Sequence, residues 1–128
     1  MTRTIIATEN APAAVGPYSQ AVAANGFVFV SGQLGLLPGS KEFAGETVAA
    51  QTKQALENIA AILQAAGTDM AHVVKVTVLL ADMVTFGEMN EVYATFFPSE
   101  PPARAAFAAK DLPLGGLVEI EAVAVMPG

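Results

Sequence analysis

Three polar residues stand where the packing of an apolar chain gives no reason for them. Arg104 is one of only two arginines in 128 residues and opens the apolar segment Ala103 to Phe107, with no carboxylate next to it in sequence. A planar guanidinium in such a place suits bidentate capture of a ligand carboxylate; the alternative is an edge charge whose stem lies on apolar surface. Glu119 sits inside an apolar segment, where a carboxylate is costly unless it is paired or its pKa rises, the condition for a general acid or base. Glu121 shares its face, so a like-charge pair and a solvated strand face both remain open. Asn90 falls in the apolar stripe of a helical segment one turn after Phe86, and its amide needs a partner in the interior or at an interface.

Other chemistry is poorly supplied. Ser31-Gly32, at a strand end, could offer a hydroxyl and backbone N–H groups to a ligand, although serine before glycine is also ordinary turn chemistry. Gly115-Gly116 has neither a Walker lysine nor a G-x-G-x-x-G pattern and reads as a tight turn. The chain contains no cysteine and a single histidine, His72, which removes thiolate chemistry, disulfides and His/Cys metal sites. No metal site is expected.

The elements that must position these residues follow from periodicity. Phe27 to Ser31 reads as a strand ended by Gly32, with a partner around Ser19 to Ala24 and Asn25-Gly26 as a hairpin turn between them. From Glu46 to Ala66, Val48, Thr52, Ala55, Leu56, Ile59, Leu63 and Ala66 recur at helical spacing, and Gly67 stops the helix. His72 to Leu80 alternates as a strand, Lys75 and Thr77 on one face and Val74, Val76 and Val78 on the other. A second helix begins near Thr85, with Glu88 as the partner in a capping box and a core stripe of Phe86, Met89, Tyr93, Phe96 and Phe97. Pro98, Pro101 and Pro102 end it. Strands around Ala103 to Phe107 and Leu117 to Met126 close the chain, Glu119 and Glu121 opposing Val118, Ile120 and Ala122.

The order β-β-α-β-α-β-β predicts a single α+β domain over residues 1–128, a mixed sheet with two helices on one face. Composition bears on the other face. At 53% hydrophobic and 14% charged, the chain is more apolar than the roughly 45–50% and 25% of ordinary soluble domains, which points to self-association, with abundant alanine as the alternative explanation. A net charge of −6 with six scattered Lys and Arg disfavours a nucleic-acid partner. Without an apolar signal core or a run near the ~18 residues of a membrane span, the expectation is a cytoplasmic protein with no membrane partner.

Taken in order, the motifs resemble one family over nearly the whole chain, from about Ile5 to Val125. They are Ala11-Pro12 with Gly16-Pro17-Tyr18-Ser19-Gln20-Ala21, Ser31-Gly32-Gln33, Gln51 to Ile59, Val74 to Val78, Met89-Asn90-Glu91-Val92-Tyr93 with Phe96-Phe97, Pro102-Ala103-Arg104, and Val118 to Ala122. Singly each is weak; together and in this order they are specific to the RidA/YjgF reactive-intermediate-deaminase family. The resemblance implies a chorismate-mutase-like fold, a homotrimer with clefts between subunits, and cofactor-free hydrolysis of imino acids to 2-oxo acids and ammonia. It implies that Arg104 grips the substrate carboxylate and Glu119 activates the attacking water. Tyr18, Ser31, Gly32, Asn90 and Ala106 match the remaining cleft positions. Many members carry cysteine where this chain has Ala106, a position whose role in the resemblance is mostly backbone. A trimer that binds a 2-oxo acid without turnover is the main alternative; a ribonuclease or translation inhibitor is a third.

Overall fold

A computed structural model describes residues 2–128. Its elements are β1 (Arg3–Ile6), β2 (Ala21–Ala24), β3 (Phe27–Leu34), α1 (Val48–Ala66), β4 (Val73–Leu80), α2 (Phe86–Phe96), β5 (Ala103–Ala108) and β6 (Val118–Val125). The strands form one mixed sheet in the order β1-β2-β3-β6-β4-β5. Every neighbouring pair is antiparallel except β4 and β5. A parallel pair needs a crossover connection, and α2 supplies it. α1 carries the chain from β3 to β4, leaving the place between them for β6.

α1 lays Val48, Ala55, Leu56, Ile59, Ile62 and Leu63 against Val28, Val30, Val76, Val78, Val118, Ile120 and Ala124, all buried. Side chains alternate between the faces of a strand, so the residues between these core positions point to the opposite face. That face is uncovered and bears Phe27, Phe29 and Phe107, each more than a third exposed.

The α+β expectation and its element order hold, and local differences have physical causes. Asn25 and Gly26 both take positive φ, 52° and 82°, which a two-residue hairpin turn requires. Gly67 closes α1 in the left-handed conformation, and Thr47 caps its start by accepting the N–H of Ala50. The capping box expected at Thr85 and Glu88 does not form. Thr85 donates its hydroxyl to the Asp82 carbonyl, while the Glu88 carboxylate accepts the N–H of Ala49 at 3.1 Å and so serves the first turn of α1. A register shift between Val73 and Lys75 bulges Val74 outward. Val73 therefore joins the core and Val74 is 42% exposed, against the expectation that Val74 shares a face with Val76 and Val78. β3 does not stop at Gly32: a shift between Val30 and Gln33 makes Ser31-Gly32 a bulge inside a longer strand. β1 carries too short and too exposed a pattern to be visible in the sequence.

Candidate functional site

Arg104 lies on the edge strand β5, paired with Val76, which in turn pairs with Ala122. Cross-strand partners share a face, so Arg104 points to the helix-covered side. There α2 presents Phe86, Asn90 and Tyr93 along one stripe. Nη1 of Arg104 donates to Oδ1 of Asn90 at 2.7 Å, and the guanidinium carbon lies 4.7 Å from the Tyr93 ring centre and 5.4 Å from that of Phe86. The only salt-bridge contact among the described residues is that of His72 with Asp69, so Arg104 has no carboxylate partner there. Burial pushes the Tyr93 phenol up, opposed by the Arg104 charge. Ala106, two residues along β5, is half-buried on the same face.

Glu119 belongs to the other side. It pairs with Leu79, which pairs with Phe107, and these point to the uncovered face. Burial raises its pKa above the ordinary carboxylate value, and the nearby charge of Glu121 adds to the rise. The β3 bulge brings Gly32 against it: a Cβ on Gly32 would lie 2.7 Å from Oε2 of Glu119. Only glycine permits that approach with Glu119 as it stands. Glu119 and Gly32 line a cleft of about 690 Å³ with Tyr18, Gln33, Leu36, Pro113 and Leu114 among its walls. Ser31 stands beside Gly32, its hydroxyl donated to the Ser19 carbonyl at 2.6 Å, which leaves the oxygen free only to accept.

The site residues expected from sequence thus fall into two groups. Arg104, Asn90 and Ala106 gather on the helix side of β5; Tyr18, Gly32 and Glu119 gather at the cleft, with Ser31 adjoining. Within one chain the groups sit on opposite faces of the sheet. Among the described residues no three His, Cys, Asp or Glu side chains lie together as metal ligands would, and no helix is long and apolar enough to cross a membrane.

Buried amides that hold the cleft were not anticipated. Gln20 accepts the N–H of Thr8 and donates to the carbonyls of Thr8 and Pro12, tying down the loop that carries Tyr18. Asn58 donates to the carbonyls of Leu34 and Leu36, and Gln51 bridges Gly45 to Leu117. For Gln51 and Asn58 the signal is a polar residue among the apolar positions of α1, as for Asn90 in α2; Gln20, just before β2, lies in no periodic element.

The fold and the sequence both match known proteins. The structure superimposes on that of Escherichia coli TdcF with bound serine with a TM-score of 0.92 at 38% identity, covering 97% of this chain and 99% of that one. The family model described as Endoribonuclease L-PSP matches residues 8–126. A Bos taurus 2-iminobutanoate/2-iminopropanoate deaminase is 54% identical over 125 residues, 98% of this chain and 91% of the relative. The chloroplastic Reactive Intermediate Deaminase A of Arabidopsis thaliana is 48% identical over 122 residues, 95% of this chain but 65% of that longer protein. The chain belongs to the Endoribonuclease L-PSP family, the RidA/YjgF family that its motifs resemble.

Proposed function

We propose that this protein is a hydrolytic deaminase that converts 2-iminopropanoate, 2-iminobutanoate and the enamines from which they form into 2-oxo acids and ammonia. The observation that carries the reading is Arg104, a cation fixed by an amide and two aromatic rings with no carboxylate to neutralise it. Small imino acids bear one strong charge, the carboxylate, and a guanidinium fork matches it. The relatives named as deaminases of these imines support the substrate class, and the serine in TdcF is likewise a small molecule with an α-carboxylate.

In this reading Glu119 accepts a proton from water as the water oxygen bonds to the C=N carbon. That proton passes to the nitrogen to give a carbinolamine, whose hydroxyl proton is then relayed to the amine as the C–N bond breaks, so that the C=O forms and ammonia leaves. An imine is already electrophilic, so positioning and a single group that relays both protons suffice. A carboxyl with a raised pKa is the better base for this task. Tyr18, Gly32 and the Ser31 oxygen flank the imine, and Ala106 contributes backbone only.

Because the Arg104 and Glu119 groups occupy opposite faces, a complete site requires a second copy of the chain. The uncovered face with Phe27, Phe29 and Phe107 supports burial against that copy. The proposal is a homotrimer with three clefts, each combining the Arg104 side of one subunit with the Glu119 side of its neighbour, acting in the cytoplasm. The family's name points instead to RNA. A charge of −6 and a lone exposed His72–Asp69 pair weigh against it here. A coupled assay in which a dehydratase generates 2-aminoacrylate tests the proposal. Purified protein should speed ammonia release above the spontaneous rate. Tight 2-oxo acid binding without acceleration would make it a binding protein.

A further inference from the structure

We infer that Tyr93, with Phe86 beside it, is a positioning residue whose ring face holds the Arg104 guanidinium in place without neutralising it. The inference rests on the carboxylate-binding role proposed for Arg104 and extends it to a residue that sequence periodicity assigns to the core alone. Three observations meet at one point. The guanidinium carbon stands 4.7 Å from the Tyr93 ring centre and 5.4 Å from that of Phe86, both within cation–π range. The Tyr93 ring is itself locked, packed on Phe97 with centroids 4.8 Å apart. The Tyr93 hydroxyl is buried and makes no hydrogen bond, so it is the ring that acts.

An arginine on an edge strand has two ways to be held. A carboxylate would fix it, but would also compensate its charge and occupy the fork that a substrate needs. Aromatic faces contact the flat of the guanidinium and use none of its five N–H donors. Asn90, a neutral acceptor, uses one. Among the described residues the remaining donors have no protein partner, and the positive charge has no carboxylate against it. Such a cradle lowers the entropy lost when a carboxylate docks, because the side chain is already ordered.

The test compares Tyr93→Leu, Tyr93→Phe and Phe86→Leu for pyruvate affinity by calorimetry, for kcat and KM on generated imines, and for thermal melting. Tyr93→Leu should weaken pyruvate binding about tenfold and raise KM by a similar factor, with kcat changed less. Phe86→Leu, the more distant ring, should cost about threefold. Tyr93→Phe should bind pyruvate within about twofold of wild type and melt no lower, since it deletes only an unpartnered hydroxyl. A lower melting temperature in Tyr93→Leu with unchanged pyruvate affinity would make Tyr93 purely structural and overturn the inference. Should Tyr93→Leu fail to fold, unchanged affinity in Phe86→Leu overturns it equally. Wild-type protein that binds pyruvate but leaves imines untouched would sink the deaminase reading and leave the cradle standing; wild-type protein that binds no pyruvate overturns both.

Discussion

The two halves of the candidate site are built by different means. Around Arg104 everything comes from regular elements: one stripe of α2 laid over a strand position, holding a cation through rings and an amide. Around Glu119 the construction is irregular, a bulge in β3, a loop pinned by Gln20 and the turn at Pro113-Leu114 arranged about one strand carboxylate. Periodic elements fix a long flexible side chain by packing along its length, whereas a short acid is tuned by what the loops bring near it. The first half offers charge and geometry, the second a shifted pKa. In the proposed reaction the first half grips the imino acid and the second hydrolyses it, so each needs the other.

Removing the cation breaks the comparison most severely. Arg104→Ala should abolish turnover of imino acids. Arg104 is exposed in the single chain, and once the neighbouring subunit covers the site the loss of carboxylate binding should approach the roughly 2–5 kcal/mol of truncating one partner of a buried charge pair. Melting temperature and assembly should be unchanged, because Arg104 lies at a sheet edge outside the hydrophobic core. Steady-state rates with light scattering on the same sample check it; a dissociated or unfolded variant would make the arginine structural.

On the other half, Glu119→Gln keeps shape and removes the proton acceptor. Hydrolysis should slow on the order of 10²- to 10⁴-fold with pyruvate affinity intact. An unchanged rate would transfer the role to Glu121 or to water alone. A smaller effect is expected from Gly32→Ala, whose methyl would meet the Glu119 carboxylate at 2.7 Å. The carboxylate is the end of a flexible side chain and should swing aside rather than unfold the strand. A misplacement near 1 Å corresponds to a loss of about 10²-fold in kcat, measurable beside an unaltered circular dichroism spectrum.

The pattern of what sequence reveals follows the same division. Arg104, Glu119 and Asn90 were legible because each is a polar residue in an apolar setting, and the helices and central strands because their periods are clean. The faces of Arg104 and Glu119 were not: opposing them requires the register of β5 and β6 on β4, and β5–β4–β6 is not the order of the chain. Bulges at Val74 and at Ser31-Gly32 slip the period of two by one residue, which local alternation cannot anticipate. Glu88 reads as a cap for its own helix, and only the packing of α2 on α1 shows it serving the other. Tyr93 fits a core stripe so well that nothing in its spacing betrays the cation on its face.

The smallest expected effect sharpens the electrostatics. Glu119 is held above its ordinary pKa first by burial and then by Glu121. A base must be deprotonated, so activity should rise with pH through a midpoint above the usual carboxylate range. Glu121→Gln removes the like charge, lowers the Glu119 pKa and should move that acidic limb to lower pH, with little change on the plateau. A pH–rate profile displaced upward instead would mean that Glu121 acts through something other than its charge.

The central claim is that each site takes Arg104 from one subunit and Glu119 from its neighbour. It is tested most directly by mixing two inactive variants, Arg104→Ala and Glu119→Gln, after partial denaturation and reassembly. Random mixing into a cyclic trimer leaves one intact cleft in each mixed assembly, so activity should return to about one quarter of wild type. If both residues served from the same chain, every site would carry one lesion, and activity that stayed at the level of the separate variants would contradict the account.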